Sequence, residues 1–114
     1  MEKNQTAHKP QIKTSEQRQK IIDLQVNRPV RRLELVVLRI YPRRMVYSEN
    51  YVGPVAAACG RDETGLVGLV LWGEQIQRVQ VGDIVMLESG WCRERKEELV
   101  VSTGKNGRLS VLGR

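Results

Sequence analysis

Residues suited to metal or nucleophile chemistry are scarce in this sequence of 114 residues, which has two cysteines, one histidine and no phenylalanine. Structural zinc needs four nitrogen or sulfur ligands, usually in close pairs, and Cys59, Cys92 and His8 cannot supply them. A Cys–His catalytic pair would require His8 to fold back from a polar N-terminal segment. Buried thiols that pack as small apolar groups are the simpler interpretation, and a single disulfide stays open. Because Gly104–Gly107 precedes no helical pattern, a phosphate-binding loop is also excluded, and we expect no metal, no cofactor, no small-molecule substrate and no enzymatic activity.

Long hydrophobic runs are absent as well. No apolar stretch approaches the roughly 20 residues that span a bilayer, and the N-terminus is polar, so neither a transmembrane helix nor a signal peptide is predicted. Hydrophobic residues make up 40% of the chain and charged residues 28%, which is typical of a globular protein. The length favours one domain. We expect an intracellular protein without membrane contact, cytoplasmic or associated with the nucleoid.

The positive charge is concentrated near the N-terminus. The chain carries a net charge of +6, and residues 1–32 contain eight Lys and Arg against three Asp and Glu. The basicity of the whole chain is therefore weak evidence for a nucleic-acid partner. Residues 1–20 lack apolar periodicity, which predicts a basic, disordered tail followed by a folded domain at 21–114.

From residue 30 onward, short runs of β-branched and alternating apolar residues are separated by turn signals, which predicts an all-β fold. A short helical turn is predicted at Glu74–Val79, and residues 43–51 indicate a long loop or irregular hairpin. Gly90 indicates a possible bulge, since glycine tolerates the backbone that bulges require. Five strands in so short a chain favour a small closed barrel, because closure removes exposed sheet edges. The predicted strands are Val30–Ile40, Val52–Cys59, Leu66–Trp72, Ile84–Trp91, and Leu99–Ser102 continued by Arg108–Leu112 after a glycine-rich break.

Several short motifs follow one another in a specific order along residues 21–112. They are Ile22-Asp23-Leu24, Arg61-Asp62-Glu63-Thr64-Gly65, Leu69-Val70-Leu71-Trp72-Gly73, Val81-Gly82-Asp83-Ile84-Val85, Gly90-Trp91, and the run from Glu98 to Leu112. In this order and spacing they resemble the single-stranded-DNA-binding OB-fold proteins of archaeal replication protein A type. The resemblance implies a five-stranded OB barrel with one short helix between strands 3 and 4. It also implies a groove across strands 2 and 3 that binds single-stranded DNA without strong sequence preference and without a metal or cofactor, in replication, recombination or repair.

The resemblance implies that Trp72 and Trp91 stack on bases. For Trp72 the alternation agrees independently, because Leu69 and Leu71 share the face that a barrel would bury and Trp72 lies on the other. Packing under the tail or under the hairpin between strands 4 and 5 is the alternative for Trp72. A core or barrel-end position is the alternative for Trp91, whose parity depends on the bulge. Basic residues near the expected groove would contact phosphates, although any one of them could be a solvated surface charge. The candidate nucleic-acid-binding residues are Trp72, Trp91, Arg39, Arg43, Arg44, Tyr47, Arg61, Arg95, Lys96, Lys105 and Arg108.

Two positions depart from the family pattern. The family often has an aromatic residue shortly after the strand 4 aromatic, where this chain has Arg93-Glu94-Arg95, and often a tyrosine in the glycine-rich break, where this chain has Asn106. The Arg95 guanidinium could replace a stacking ring, or a tyrosine of residues 43–51 could reach across. Two other readings stay open. One is a structural OB subunit that docks a replication or repair protein through Met45, Val46 and Val52, and the other is single-stranded RNA binding.

Overall fold

The structure, a computed structural model, describes the backbone of residues 18–114 and their side chains except at positions 104 and 105. Most of the predicted tail therefore lies outside the described residues. A 3-10 turn, Ile21–Asp23, precedes the first strand, and six strands and one short helix follow. In chain order these are β1 (Arg28–Ile40), β2 (Arg44–Tyr47), β3 (Val52–Asp62), β4 (Gly65–Trp72), α1 (Gln75–Arg78), β5 (Ile84–Arg95) and β6 (Glu98–Gly113).

Five of the strands close into a barrel, as the sequence predicts. The order around it is β1-β5-β6-β4-β3, and antiparallel pairing of β1 with β3 completes the ring. Contact between β4 and β6 is parallel, with Gly68 opposite Val100 and Leu69 opposite Val101. The residues expected as a loop or irregular hairpin contain β2, which pairs with the start of β3 and lies at the sheet edge.

Strict alternation in β4 determines which side of the barrel is the core. Val67, Leu69 and Leu71 are buried, whereas the intervening residues are half-buried. Leucine and valine side chains from β1, β5 and β6 fill the same interior, and full burial of each contributes roughly 1.5–3 kcal/mol. Residues of β4 that alternate with this set must lie on the outer surface.

The predicted bulge is confirmed and lies at Ser89, which adopts φ 56°. The register of β5 against β6 shifts there, between Glu88 and Gly90. Before the bulge Val85 and Leu87 are buried, and after it Gly90 and Cys92 are buried, so the inward parity changes from odd to even positions. On the facing strand, Thr103 lies opposite Gly90 and Arg108 opposite Glu88. The glycine-rich residues 104–107, expected to interrupt the strand, are therefore extra residues that lie opposite the bulge within one continuous strand, β6.

Two turns differ in detail from the predicted bounds. The hairpin tip expected at Arg93–Glu98 shortens to Lys96-Glu97, because Arg95 pairs with Glu98 and extends both strands. Both tip residues are left-handed, with φ 52° and 70°, as a two-residue hairpin requires. The helical turn expected at Glu74–Val79 is α1, which is the single α-helix of the described residues and is too short to cross a membrane.

Candidate nucleic-acid interface

The outer surface of β3 and β4 has a flat floor of small side chains. Cross-strand register places Ala57 beside Val70 and Cys59 beside Gly68 on this surface. Their neighbours Ala58 and Leu69 pair on the inside of the barrel and are buried. Because no side chain larger than valine stands on these four positions, the surface offers room for a flat ligand.

The same surface continues across β6 and β5. A Cβ atom at Gly68 would lie 3.1 Å from Val100 Cγ2, so glycine permits the close approach of β4 and β6. Val100 is paired in turn with Arg93, and the next outward residue of β6, Ser102, is paired with Trp91. We call the outward side of β3, β4, Glu98–Thr103 of β6 and Gly90–Arg95 of β5 the outer surface.

Trp72 ends β4 on the outer surface, opposite Val55. Its indole is half-buried and meets Tyr51 edge to face, with ring centroids 4.9 Å apart and an interplanar angle of 82°. The Tyr51 hydroxyl donates a 2.7 Å hydrogen bond to the Pro54 carbonyl, which holds this tyrosine in place. Trp72 Nε1 is buried and has no hydrogen-bond partner among the described residues. Contact with Tyr51 therefore fixes the orientation of the indole, and the half of the side chain that stays exposed is available to a ligand.

Trp91 reaches the outer surface because of the bulge. Without the parity change at Ser89, position 91 would share the inward parity of Val85 and Leu87. Trp91 is instead 38% exposed, between Pro29 of β1 and Ser102 of β6. The core alternative for this tryptophan is therefore excluded, and both indoles lie on the outside of the barrel, Trp72 on β4 and Trp91 on β5, with β6 between them.

An open cleft of about 620 Å³ lies on the outer surface. Ala57, Cys59 and Gly68 form part of its floor. Tyr41, which follows β1, lines one side, and Arg95 and Lys96 of the β5–β6 hairpin line another. The Arg39 guanidinium carbon lies 5.0 Å from the centroid of the Tyr41 ring. The closed barrel thus brings the end of β1 and the hairpin tip to the same floor.

Three arginines lie on the outer surface by register. Arg39 lies opposite Cys59, Arg44 opposite Val55 and Arg93 opposite Val100. The ion pairs found among the described residues involve Arg18, Lys20 and Arg114, and none of these three surface arginines. Arg95 faces Glu98 across the hairpin, so part of its charge is offset. A cationic surface of this kind attracts polyanions.

Five predicted residues are placed apart from this cluster or outside what is described. Arg61 shares the outward side of β3 with Ala57 and Cys59, but it lines a second cleft that also contains Glu63 and not the cleft described above. Arg108 lies opposite Glu88, on the far side of the bulge. By register Tyr47, opposite Val52, alternates with Arg44 and faces away from it, and Arg43 is exposed just before β2. The side chain of Lys105 is outside the described part of the chain.

Sequence reasoning left two residues out of the candidate set. Tyr41 is outside that set, although its position two residues after Arg39 places both on one strand face. Arg93 reads as a charge near the hairpin, and only the shifted parity of β5 turns it to the outer surface. The position of Arg93 is therefore not readable without the register, whereas the spacing of Tyr41 from Arg39 is readable from the sequence.

The two cysteines differ in accessibility, and both are free thiols. Cys59 is half-buried on the floor of the cleft, whereas Cys92 is fully buried in the core. Burial raises the pKa of the Cys92 thiol, which makes it unreactive. No group of three or more His, Cys, Asp or Glu within residues 18–114 could hold a metal ion.

No protein-family model matches the chain. Over 92 residues the chain is 26% identical to the single-stranded DNA binding protein Ssb of Saccharolobus solfataricus, an alignment that covers 81% of this chain and 62% of that protein. The chain thus spans about three fifths of this curated relative.

Solved OB domains share the fold. The second OB-fold domain of replication protein A from Methanococcus maripaludis has a TM-score of 0.70 at 22% identity, covering 85% of this chain and 96% of that one. The replication factor A related protein from Methanobacterium thermoautotrophicum has a TM-score of 0.69 at 18% identity, covering 82% and 89%. The chain is therefore an OB-fold protein that resembles the single-stranded-DNA-binding OB proteins of archaeal replication protein A type.

Proposed function

We propose that this chain binds single-stranded DNA without sequence preference and has a binding role, not a catalytic one. The observation that carries the proposal is the outer surface. It carries Trp72 of β4 and Trp91 of β5, the small side chains of the β3–β4 floor, and arginines that take part in none of the ion pairs among the described residues. Flat rings accept any base, and cationic side chains accept any phosphate, so recognition needs no base-edge contacts.

The energetics of this surface separate into two contributions. Base stacking on an aromatic ring contributes about 1–3 kcal/mol per base and depends little on salt. Each phosphate neutralised on a single strand contributes about −0.7 to the slope of log K against log salt. With Arg39, Arg44, Arg93 and Arg95 at the surface, we expect a slope of about −3.

The relatives support a role in replication, recombination or repair inside the cell. The Saccharolobus relative is named as a single-stranded DNA binding protein, and the structural neighbours include a replication protein A domain. We propose the same ligand class for this chain on the strength of the shared fold and the two tryptophans.

The variant Trp72→Ala tests the stacking role. Binding of a dT oligonucleotide should quench the tryptophan fluorescence of the natural chain, and the variant should lose about 1–3 kcal/mol of binding free energy. Trp72→Phe retains a ring and should recover part of the loss, and thermal unfolding shows whether each variant stays folded. Equal affinity of the natural chain and Trp72→Ala would contradict the stacking role.

Thiol labelling locates the bound strand without changing the surface. A maleimide should react at Cys59 on the cleft floor and spare the buried Cys92, and Cys59→Ser verifies this assignment. A saturating dT oligonucleotide should slow the reaction at Cys59. A rate unchanged by bound oligonucleotide would place the strand elsewhere.

A second candidate function, docking of a replication or repair protein, is favoured by a separate apolar patch. Of the expected docking residues, Met45 and Val52 lie together with Tyr47 by register, and the three are 51%, 66% and 76% exposed. Val46, expected in the same patch, is half-buried on the other face of β2. A pull-down with this chain from a nuclease-treated lysate distinguishes docking from DNA binding. A stoichiometric protein partner, together with no binding of an oligonucleotide, would support docking.

Parallel titration with DNA and RNA homopolymers shows which nucleic acid the chain prefers, because only RNA offers a 2′-hydroxyl.

A further inference from the structure

We propose that Tyr41 is a third base-stacking platform, which stands at the β1 margin of the outer surface. The inference rests on the proposed binding of single-stranded DNA and extends it to a residue outside the predicted set. The Tyr41 ring stands on the margin opposite the β5–β6 hairpin. That hairpin has Arg93 and Arg95 in place of an aromatic residue.

Backbone pairing fixes the position of Tyr41. Ile40 lies opposite Ala58, and the Tyr41 N–H donates a 2.8 Å hydrogen bond to the Ala57 carbonyl, which continues the ladder by one residue. Because Ala57 is on the outer surface, the Tyr41 side chain has the same parity. Tyr41, Ala57 and Val70 therefore form one row across three strands, and the Tyr41 backbone lies about 10 Å, or two strand spacings, from the β4 backbone.

The environment of the ring suits a ligand face. Tyr41 is 42% exposed and lines the cleft over Cys59 and Gly68. The Arg39 guanidinium lies over the ring at 5.0 Å but does not line the cleft, so the two sides of the ring differ. Cation–π contact with Arg39 orders the ring before a base arrives, which reduces the entropy lost on binding.

Charge around the cleft matches a stacked nucleotide. Arg95, Lys96 and Glu98 line the cleft that Tyr41 also lines, so the charged side chains there carry a net charge of +1 and a base on the Tyr41 ring would have cations within its own cleft for the adjacent phosphates. Tyr47 has no such surroundings, since it is 76% exposed on the alternate face of β2. This makes Tyr47 a matched control, an exposed tyrosine of the same chain away from the floor.

The test compares Tyr41→Ala, Tyr41→Phe and Tyr47→Ala by anisotropy of a labelled dT oligonucleotide at several salt concentrations. Tyr41→Ala should weaken binding about five-fold or more, because stacking is lost. The affinities of Tyr41→Phe and Tyr47→Ala should remain within about two-fold of that of the natural chain. Tyr41→Phe keeps a ring at this position, and Tyr47→Ala removes one that does not belong to the outer surface. The salt slope should not change in Tyr41→Ala, because no phosphate contact is removed.

An abasic oligonucleotide separates stacking from a structural role. Without bases, Tyr41→Ala and the natural chain should bind equally. An equal loss on abasic and normal strands would mean that Tyr41 only positions Arg39, and it would overturn the proposal. Should Tyr41→Ala unfold, Tyr41→Leu retains apolar bulk without a π face and should show the same weakening.

The outcomes also distinguish this inference from the proposed function. If the natural chain binds and Trp72→Ala weakens binding while Tyr41→Ala does not, the third platform is wrong and the proposed function stands. If the natural chain binds no oligonucleotide, the proposed function itself fails.

Discussion

The outer surface and the N-terminal end of the barrel, where residues 18–23 contact the β3–β4 turn, both carry charged side chains, but the two regions differ in how many of these charges form ion pairs. At the N-terminal end, Arg18 bridges Glu34 and Glu63 at 3.4 and 3.3 Å, and Lys20 lies 3.6 Å from Glu63. On the outer surface, Arg39 and Arg93 take part in none of the ion pairs among residues 18–114. Paired charges neutralise each other and act on folding, whereas unpaired charges remain available to a polyanion.

Asp62 provides the firmest attachment at the N-terminal end. Its carboxylate accepts hydrogen bonds from the Ile21 N–H at 2.8 Å and from the N–H and hydroxyl of Thr64 at 2.7 and 2.6 Å. Burial opposes its ionisation, but these hydrogen bonds and one from the backbone of Gly65 outweigh burial and hold the pKa of Asp62 below its ordinary value. The residues before β1 are thus attached to the β3–β4 turn, away from the cleft floor.

The largest expected effect tests the backbone geometry beneath the outer surface. A Cβ atom at Gly90 would lie 2.5 Å from the Ser102 carbonyl oxygen, whereas one at Gly65 would meet Ile21 Cγ2 at an ordinary 3.6 Å. Gly90→Ala should therefore lower the free energy of unfolding by roughly 1–3 kcal/mol, and Gly65→Ala should change it by less than about 0.5 kcal/mol. Urea denaturation measures both, and equal stability of the two variants would contradict the close β5–β6 approach.

The next effect tests the charge comparison itself. Replacing Arg93 and Arg95 together by alanine should make the salt slope of DNA binding shallower by about 1.4, since two phosphate contacts are lost. Arg18→Ala should leave that slope unchanged and lower the free energy of unfolding by about 0.2–1 kcal/mol. If Arg18→Ala reduced the slope as much as the double variant, the distinction between paired and unpaired charges would collapse.

The smallest effect is the pH dependence of stability. Because the pKa of Asp62 in the folded chain lies below its ordinary value, its contribution to stability is complete above that ordinary value and is lost as the pH falls through the folded pKa. Asp83, whose pKa is lowered by the Gln80 N–H and by Arg114 against the effect of burial, acts in the same direction. Asp62→Asn should therefore lose stability less steeply than the natural chain below about pH 4, as denaturation at several pH values would show. Parallel curves for the two proteins would contradict the role of the Asp62 carboxylate.

Some features of the interface were predictable from local pattern and others were not. The alternation of Leu69 and Leu71 places Trp72 outside, because a strand exposes every second residue wherever it lies. Gly90 indicated a bulge, but the orientation of Trp91 depended on the strand register that the bulge creates. Tyr41 could not be identified as a surface residue beside Ala57, since its hydrogen bond to β3 forms only when the barrel closes.

The sequence by itself determined the all-β class, the inward face of β4 and the small side chains at Ala57 and Gly68, since these follow from residue type and a period of two. Tertiary structure decided the outward turn of Trp91, the position of Tyr41 on the same cleft as the β5–β6 hairpin, and which arginines take part in ion pairs among residues 18–114. These features depend on pairings between strands far apart in the chain. A register shift of one residue would reverse the face of every side chain along a strand, and no local pattern specifies that register.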